Sequence, residues 1–310
     1  QLEGGQLVDA EQQIEFMREI QQSIGESPEL TLLTALLAWR KDGNRSKAVQ
    51  LLDGTLETFW RLQPNAGTSS GASSSWTLEN IHTRFVHCNL DFLLQISREY
   101  LQHSGTEPLG ASEQSPPHLT KGESTLCTVV SLAPGFIEAQ FLLAKARFLG
   151  RKFEAAERTL NDCLRLDPTF SKAHVLMAQL HLRQSRPGDA TKSLEQAKAL
   201  DFEIRENPQF HLIQGRVADA AGDTDAAIKI LENALQLPAM KAAASKGKGG
   251  SGRNKNSAGG GHGRGVTPGD RATLYICLTE LYAKSDQLKR AMSLVKKAMQ
   301  MFRGSPEEVR

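Results

Sequence analysis

His174 and His211 fall at the same place in two successive stretches of the chain, and His82 and His87 stand at zinc-finger spacing, so imidazole chemistry comes first. No Cys pair precedes His82, which removes the partner ligands a zinc finger needs and leaves both residues as helix-surface positions. His174 and His211 read as an aromatic-sized packing slot, filled by Tyr275 in a later stretch, rather than as metal ligands. Gly261-His262-Gly263-Arg264-Gly265 has the glycines of a phosphate loop. It lacks the apolar strand before it and the Gly-Lys-Ser/Thr after it. Carboxylates are plentiful but belong to outer faces, where solvated charge is the rule, and Cys163 occupies a position that needs a small side chain. No catalytic constellation remains, so the chain is expected not to be an enzyme and to hold neither cofactor nor metal.

The remaining chemistry is recognition of another protein. Three sets of residues recur in register: Glu138, Phe141, Lys145 and Phe148; Lys172, Val175, Gln179 and Leu182; Gln209, Leu212, Arg216 and Asp219. On a concave surface Phe141, Phe148, Val175, Leu182 and Leu212 would be apolar anchors, with Lys145 and Arg216 setting the register of a bound helix or extended segment and Gln179 lining the groove between them. The alternative use of the same residues is packing between neighbouring repeats. Phe148→Asp separates the two, because loss of fold rather than of partner capture marks a core residue.

Such a surface needs elements that hold these positions in line. Pro134 and Pro168 stand 34 residues apart, and a further 34 reaches Phe202. The stretches 137–170, 171–204 and 208–241 then superimpose. Their eighth residues are Ala144, Ala178 and Gly215, the twentieth Ala156, Ala190 and Ala227, the twenty-seventh Cys163, Ala197 and Ala234, and the twenty-fourth always Leu: Leu160, Leu194, Leu231. Small residues on one helix let a second approach closely, and the facing Leu fills the groove. A fixed 34-residue phase is the mark of the tetratricopeptide repeat, a helix–turn–helix unit that buries its apolar faces by stacking. The expected fold is all-α: a right-handed superhelix, or α-solenoid, of antiparallel helix pairs.

Two further copies keep the phase. Residues 29–62 place Trp39 eleventh, Gly43 fifteenth, Ala48 twentieth and Leu52 twenty-fourth; residues 272–305 place Ala291, Val295 and Ala298 twentieth, twenty-fourth and twenty-seventh, with Thr279 eighth. Between the first copy and the central three, residues 81–100 and 123–133 read as two helices of one repeat. Ser27-Pro28-Glu29 and Ser305-Pro306-Glu307 offer an N-cap, a first-turn Pro and an acid. Gly43, Gly150 and Gly222 are expected in the intra-repeat turns. The resulting division is N-terminal helices and a repeat over 1–63, a flexible link over 64–79, and a repeat over 80–134 split by a loop at 104–122. Three repeats over 135–240, a Gly-rich basic insertion over 241–270, a repeat over 271–304 and the start of a further helix over 305–310 complete it. A chain that opens on Gln1 and closes just after a helix start is expected to be a piece of a longer array.

The balance of 37 Lys plus Arg against 35 Asp plus Glu, a net charge of +2, conceals a local asymmetry. Lys241, Lys246, Lys248, Arg253, Lys255 and Arg264 lie among Gly, Ser and Asn with no acid between them, and without these six the balance becomes 31 against 35. This insertion is expected to be disordered. It lacks the aromatic side chains that stack on bases, which argues against nucleic acid, and an acidic partner for 241–264 is the functional alternative to a solvated insertion. Cys88, Cys127, Cys163 and Cys277 are far apart and sit in apolar helical stretches, which suits buried thiols of a reduced intracellular protein. No secretory signal and no apolar run near the length of a membrane span is visible.

Asn89-Leu90-Asp91-Phe92-Leu93-Leu94 through Tyr100-Leu101 resembles a segment of the tetratricopeptide repeat protein 21 family, the repeat-built subunit of intraflagellar transport complex A. Ala133-Pro134-Gly135-Phe136, His211-Leu212-Ile213, Leu237-Pro238-Ala239-Met240-Lys241 and Ser305-Pro306-Glu307-Glu308-Val309-Arg310 are similar in the same order, so the resemblance covers about residues 28 to 310. It includes the split repeat and the break after Pro238. The length of the Gly-rich insertion departs from animal members. The resemblance implies a non-enzymatic scaffold for retrograde ciliary transport and membrane-protein trafficking, whose partners are other complex A subunits built from WD40 propellers and helical repeats. It implies a cilium or flagellum, basal body and cytoplasm location. A co-chaperone adaptor would need a clamp of Lys and Asn, then Lys and Arg, which Phe141 and Lys145, then Gln209 and Ile213, do not supply. A regulatory repeat arm of an enzyme is the other alternative.

Overall fold

The computed structural model describes residues 7–62, 89–110, 112–238, 240 and 268–302. The expected link at 64–79, the residues 81–88 with His82, His87 and Cys88, most of the Gly-rich basic insertion, and the helix start at 305–310 lie outside these residues. The described residues form thirteen α-helices and no strand. The chain divides into two compact units, Gln1–Leu166 and Asp167–Arg310.

The first unit contains α1 (Leu7–Ile24), α2 (Pro28–Asp42), α3 (Arg45–Arg61), α4 (Leu90–Gln102), α5 (Pro117–Leu132), α6 (Ile137–Leu149) and α7 (Phe153–Leu166). Helices α2 and α3, α4 and α5, and α6 and α7 pack as hairpin pairs, α1 lies on α2, and α4 also touches α6, the first helix of the next pair. The second unit contains α8 (Ser171–Arg183), α9 (Pro187–Leu200), a 3₁₀ turn (Glu203–Glu206), α10 (Pro208–Ala220), α11 (Thr224–Gln236), α12 (Pro268–Lys284) and α13 (Leu288–Phe302). Here α8/α9, α10/α11 and α12/α13 are the pairs, and the first helices stack α8 on α10 and α10 on α12.

Periodicity builds each second helix. Ala156, Leu160 and Cys163 of α7, Ala190, Leu194 and Ala197 of α9, and Ala227, Leu231 and Ala234 of α11 share an i, i+4, i+7 face, and all are buried. The facing eighth residues Ala144, Ala178 and Gly215 are buried too. In the final pair Ala291 is buried, but Val295 is exposed. Among the described residues no helix follows α13 to cover it.

In five of the six pairs the turn is set by one backbone feature at the fifteenth residue, while α4 and α5 are joined by the longer connection 103–116. Gly43, Arg151, Ser185, Gly222 and Asp286 all have φ between 58° and 93°, the left-handed region that ends a helix. In four of the pairs the next amide closes a wide ring onto the eleventh carbonyl: Lys152 to Arg147, Arg186 to His181, Asp223 to Ala218 and Gln287 to Tyr282, each at 2.8–3.0 Å. The expectation placed Gly150 in this role. Gly150 has φ −77°, and Arg151 takes the strained conformation instead.

Helix starts follow side-chain caps. Ser27, Asn44, Asn89, Asn207 and Asp223 each accept a backbone N–H from the first turn that follows. The split repeat differs from the expected boundary, because α5 begins at Pro117 rather than at residue 123, and 117–122 is helix, not loop. Pro117 suits a first helical turn. Gly122 belongs to the helix because Tyr100 of α4 crosses there: a β-carbon on Gly122 would stand 3.1 Å from Tyr100 Cβ. Tyr100 is fully buried and its hydroxyl donates to Asp53 Oδ1 at 2.7 Å, while Lys121 Nζ meets Asp53 Oδ2 at 2.9 Å. The loop is also no free appendage. Leu109 N–H donates to the Leu149 carbonyl at 3.0 Å, and Arg151 Nη1 donates to the Leu109 carbonyl at 3.2 Å, strapping the loop to the turn of the following pair.

Candidate protein-binding groove

In the second unit the stacked first helices α8, α10 and α12 line a cleft of 390 Å³. Its depth comes from the ladder beneath it. With no side chain, Gly215 lets Leu231 of α11 press against the α10 backbone, where a β-carbon would meet Leu231 Cδ2 at 2.7 Å and Cγ at 2.9 Å. Leu182 of α8, Arg216 and Asp219 of α10, and Glu280 and Lys284 of α12 line the walls.

Charge in the cleft is arranged in alternation. Lys284 Nζ donates to Asp219 Oδ1 at 2.6 Å, and Thr224 Oγ1 donates to the same oxygen at 3.3 Å. Arg216 Nη2 points at Cys277 Sγ from 3.4 Å. Such half-exposed pairs contribute up to about 1 kcal/mol to stability, so they orient a partner more than they hold the fold. Among the described residues no group of three or more His, Cys, Asp or Glu could hold a metal ion. No described helix is long and apolar enough to cross a membrane. Cys163 and Cys277 are buried free thiols, and Cys127 is a half-buried one.

The structure sorts the sequence-read groove residues into two groups. Val175, Gln179, Leu182 and Arg216 are half-buried in the second unit, as Phe141 and Lys145 are in the first. Phe148 and Leu212 are not available to a partner. Phe148 is buried with its ring 6.0 Å from that of Phe153, and Leu212 is buried in the cluster that includes Leu274 and Leu278 of the next first helix. Glu138 is engaged as well, through an ion pair with Arg98 of α4 at 2.5 Å. Glu280 was legible only by extending the groove positions to the last repeat, where it is the ninth residue, and Cys277 and Lys284, sixth and thirteenth there, fall outside those positions.

His174 and His211 make a polar contact that the packing-slot reading did not include, and the His211 ring also lies edge-on to that of Phe210 at 5.8 Å. Their Nε2 atoms lie 2.9 Å and 2.6 Å from the carbonyls of Pro168 and Arg205, and Gln140 Nε2 donates to the Pro134 carbonyl at 2.6 Å from the equivalent position. A carbonyl only accepts, so each imidazole must carry its proton on Nε2. The fourth residue of these three repeats thus ties down the turn that leads into it, whereas in 272–305 the fourth residue is Tyr275, whose hydroxyl lies 3.6 Å from Met301 Sδ.

A second polar cluster sits in the first unit where the split repeat begins and resumes. His103 at the end of α4 and His118 in the first turn of α5 are both buried, with the Trp39 ring edge-on to His103 at 4.7 Å and Arg45 Nη2 3.5 Å from His118 Nε2. Burial first, then the Arg45 charge and His118, push the His103 pKa down to about 4; burial and Arg45 lower that of His118. Tyr100 is raised by burial and by its bond to Asp53. This cluster binds helices to one another, with both imidazoles buried and Arg45 exposed at its edge.

Two family models cover nearly the whole chain. One described as the tetratricopeptide repeat protein 21 second ARM domain matches residues 1–185, and one described as the tetratricopeptide repeat protein 21 ARM repeat matches residues 202–310. The chain belongs to the tetratricopeptide repeat protein 21 family. Tetratricopeptide repeat protein 21B of Homo sapiens is 34% identical over 313 residues, covering 100% of this chain and 22% of that protein. Tetratricopeptide repeat protein 21A of Mus musculus is 32% identical over 306 residues, covering 99% of this chain and 21% of that protein. The chain thus spans 21–22% of the length of these relatives. A crystal structure of a tetratricopeptide repeat protein from Parabacteroides merdae aligns with 99% of this chain and 91% of its own, at TM-score 0.62 and 13% identity. What it shares with this member of the tetratricopeptide repeat protein 21 family is the fold, an all-α array of helix pairs, which is a repeat scaffold.

Proposed function

We propose that this chain is a non-catalytic docking segment of an intraflagellar transport complex A subunit, serving retrograde ciliary transport and the trafficking of ciliary membrane proteins. The observation that carries this reading is family membership across both compact units. The α8–α10–α12 cleft supplies the physical means, with half-buried apolar side chains between alternating charges. Its partners would be other complex A subunits of WD40 and helical-repeat build, at the cilium, the basal body and in the cytoplasm. Docking would be multivalent, with modest contacts along many repeats adding to a stable assembly.

A chaperone-tail clamp is poorly served by this geometry. Ile213, which stands where such a clamp needs a cation, is buried, and Gln209 is neutral. Affinity purification of the full-length protein from ciliated cells, with the co-purifying proteins identified by mass spectrometry, tests the reading. Recovery of WD40-containing transport subunits supports it, and recovery of chaperones in their place overturns it.

A further inference from the structure

Leu288, Met292, Val295 and Met299 form an i, i+4, i+7, i+11 ridge along α13 that is 40–63% exposed. Met292, Val295 and Met299 stand at the repeat positions that Ile228, Leu231 and Leu235 occupy in α11. Those three side chains share an apolar cluster with Leu274 and Leu278 of α12, the first helix of the following pair. The α13 ridge is therefore a stacking face of the same make, shaped to receive a helix. Its charge selects which helix. Exposed Lys289 and Lys296 border the ridge, and α13 contains no acid.

On α1 the character is complementary. Val8 and Phe16 are 66% and 62% exposed and lie in one i, i+4, i+8 row with Gln12. Asp9, Glu15 and Glu19, all exposed, border that row, and Arg18 is the one cation of the helix. The opposite side of α1 is already used, since Ala10 and Ile14 are buried where it packs on α2. No other described helix has more than one large apolar side chain exposed. The two extended apolar faces among the described residues thus carry opposite charge.

We propose that α1 of one copy docks on the α13 ridge of a second copy of this chain, with Glu15 and Glu19 meeting Lys289 and Lys296. Attraction between the charged borders brings the helices together, and Val8 and Phe16 then cover the Met and Val side chains of the ridge. The two faces differ, so the contact is heterologous and each copy keeps one face of each kind for further copies. A single helix face is small for a protein interface, so the contact is weak, depends on its charges and loosens as salt rises. None of these residues lines the α8–α10–α12 cleft, so the two surfaces are separable by mutation.

Carbodiimide cross-linking, which joins a carboxylate to an amine with no spacer, tests the contact on an equal mixture of light and heavy-isotope full-length protein. Peptides of mixed isotope joining Glu15 or Glu19 to Lys289 or Lys296 are expected. Glu15→Lys with Glu19→Lys, and separately Lys289→Glu with Lys296→Glu, are each expected to weaken self-association by about tenfold or more in sedimentation velocity. A mixture of the two variants is expected to associate again, because each then meets the opposite charge, and that recovery shows both to be folded. Absence of these cross-links, cross-links confined to one isotope, or Lys289 and Lys296 joined to acids outside α1 overturn the proposal. Self-association unchanged in either variant, or a mixture that stays apart, overturns it as well.

Discussion

Gly215 and Leu231 meet with no room for a β-carbon between them: one built on Gly215 would stand 2.7 Å from Leu231 Cδ2 and 2.9 Å from Cγ. The eighth residue of one helix and the twenty-fourth of its partner thus set how closely α10 and α11 approach, and through that the depth of the cleft above them.

Gly215→Ala is therefore expected to destabilise the second unit by about 1–3 kcal/mol, since Cγ cannot swing away as a terminal methyl can. Urea unfolding followed by helical circular dichroism measures the loss. An unchanged midpoint would mean that α10 and α11 can move apart at little cost.

The fifteenth residue offers the opposite sign. Arg151 and Ser185 hold φ near 60°, which costs a residue with a β-carbon roughly 1 kcal/mol. Ser185→Gly is expected to raise stability by about 0.5–1 kcal/mol, although glycine in a helix interior would lower it by a similar amount. Thermal unfolding of the substituted chain checks the direction.

Acid should loosen the first unit. The His103 pKa is pushed down to about 4 from an unfolded value of about 6.5, so both states are neutral above pH 6.5 and the unfolded state alone gains a proton below it. Stability present above pH 6.5 is lost as pH falls towards 4, and the lowered His118 adds in the same sense. His103→Gln with His118→Gln is expected to flatten the fall in unfolding midpoint between pH 6.5 and 4.5. A slope equal to that of the unmodified chain would place the acid sensitivity elsewhere.

Phe148 and Phe141 separate core from groove. Phe148→Asp buries a charge beside Phe153 and is expected to cost helical content, whereas Phe141→Asp, at a half-buried position, is expected to keep most of it. Far-ultraviolet circular dichroism of the two variants decides the matter.

Much of the architecture was legible because the residues that carry it are intolerant. Ala156, Ala190 and Ala227 sit where nothing larger fits, so their 34- and 37-residue spacings reported the frame directly. Gly150 misled because glycine reports permission for a left-handed backbone, not its use, and the neighbouring Arg151 took it. Gly122 misled in the other direction, since its composition suggested a loop while its lack of a β-carbon served the close crossing of Tyr100. Groove membership was harder to read. The twelfth residue is buried at Phe148 but half-buried at Leu182 and Asp219, because a large ring can fold onto α7 where a shorter side chain does not. The pairing of His103 with His118 joins residues on either side of an insertion, and no local spacing announces it.

The cleft between α8, α10 and α12 as a docking surface is tested most directly by reversing its charge. Full-length protein carrying Arg216→Glu, purified from ciliated cells beside the unmodified protein, should retain its helical signal and lose a large share of at least one co-purifying transport subunit. Unaltered recovery of every partner, with the fold intact, would contradict a role for this groove in assembly.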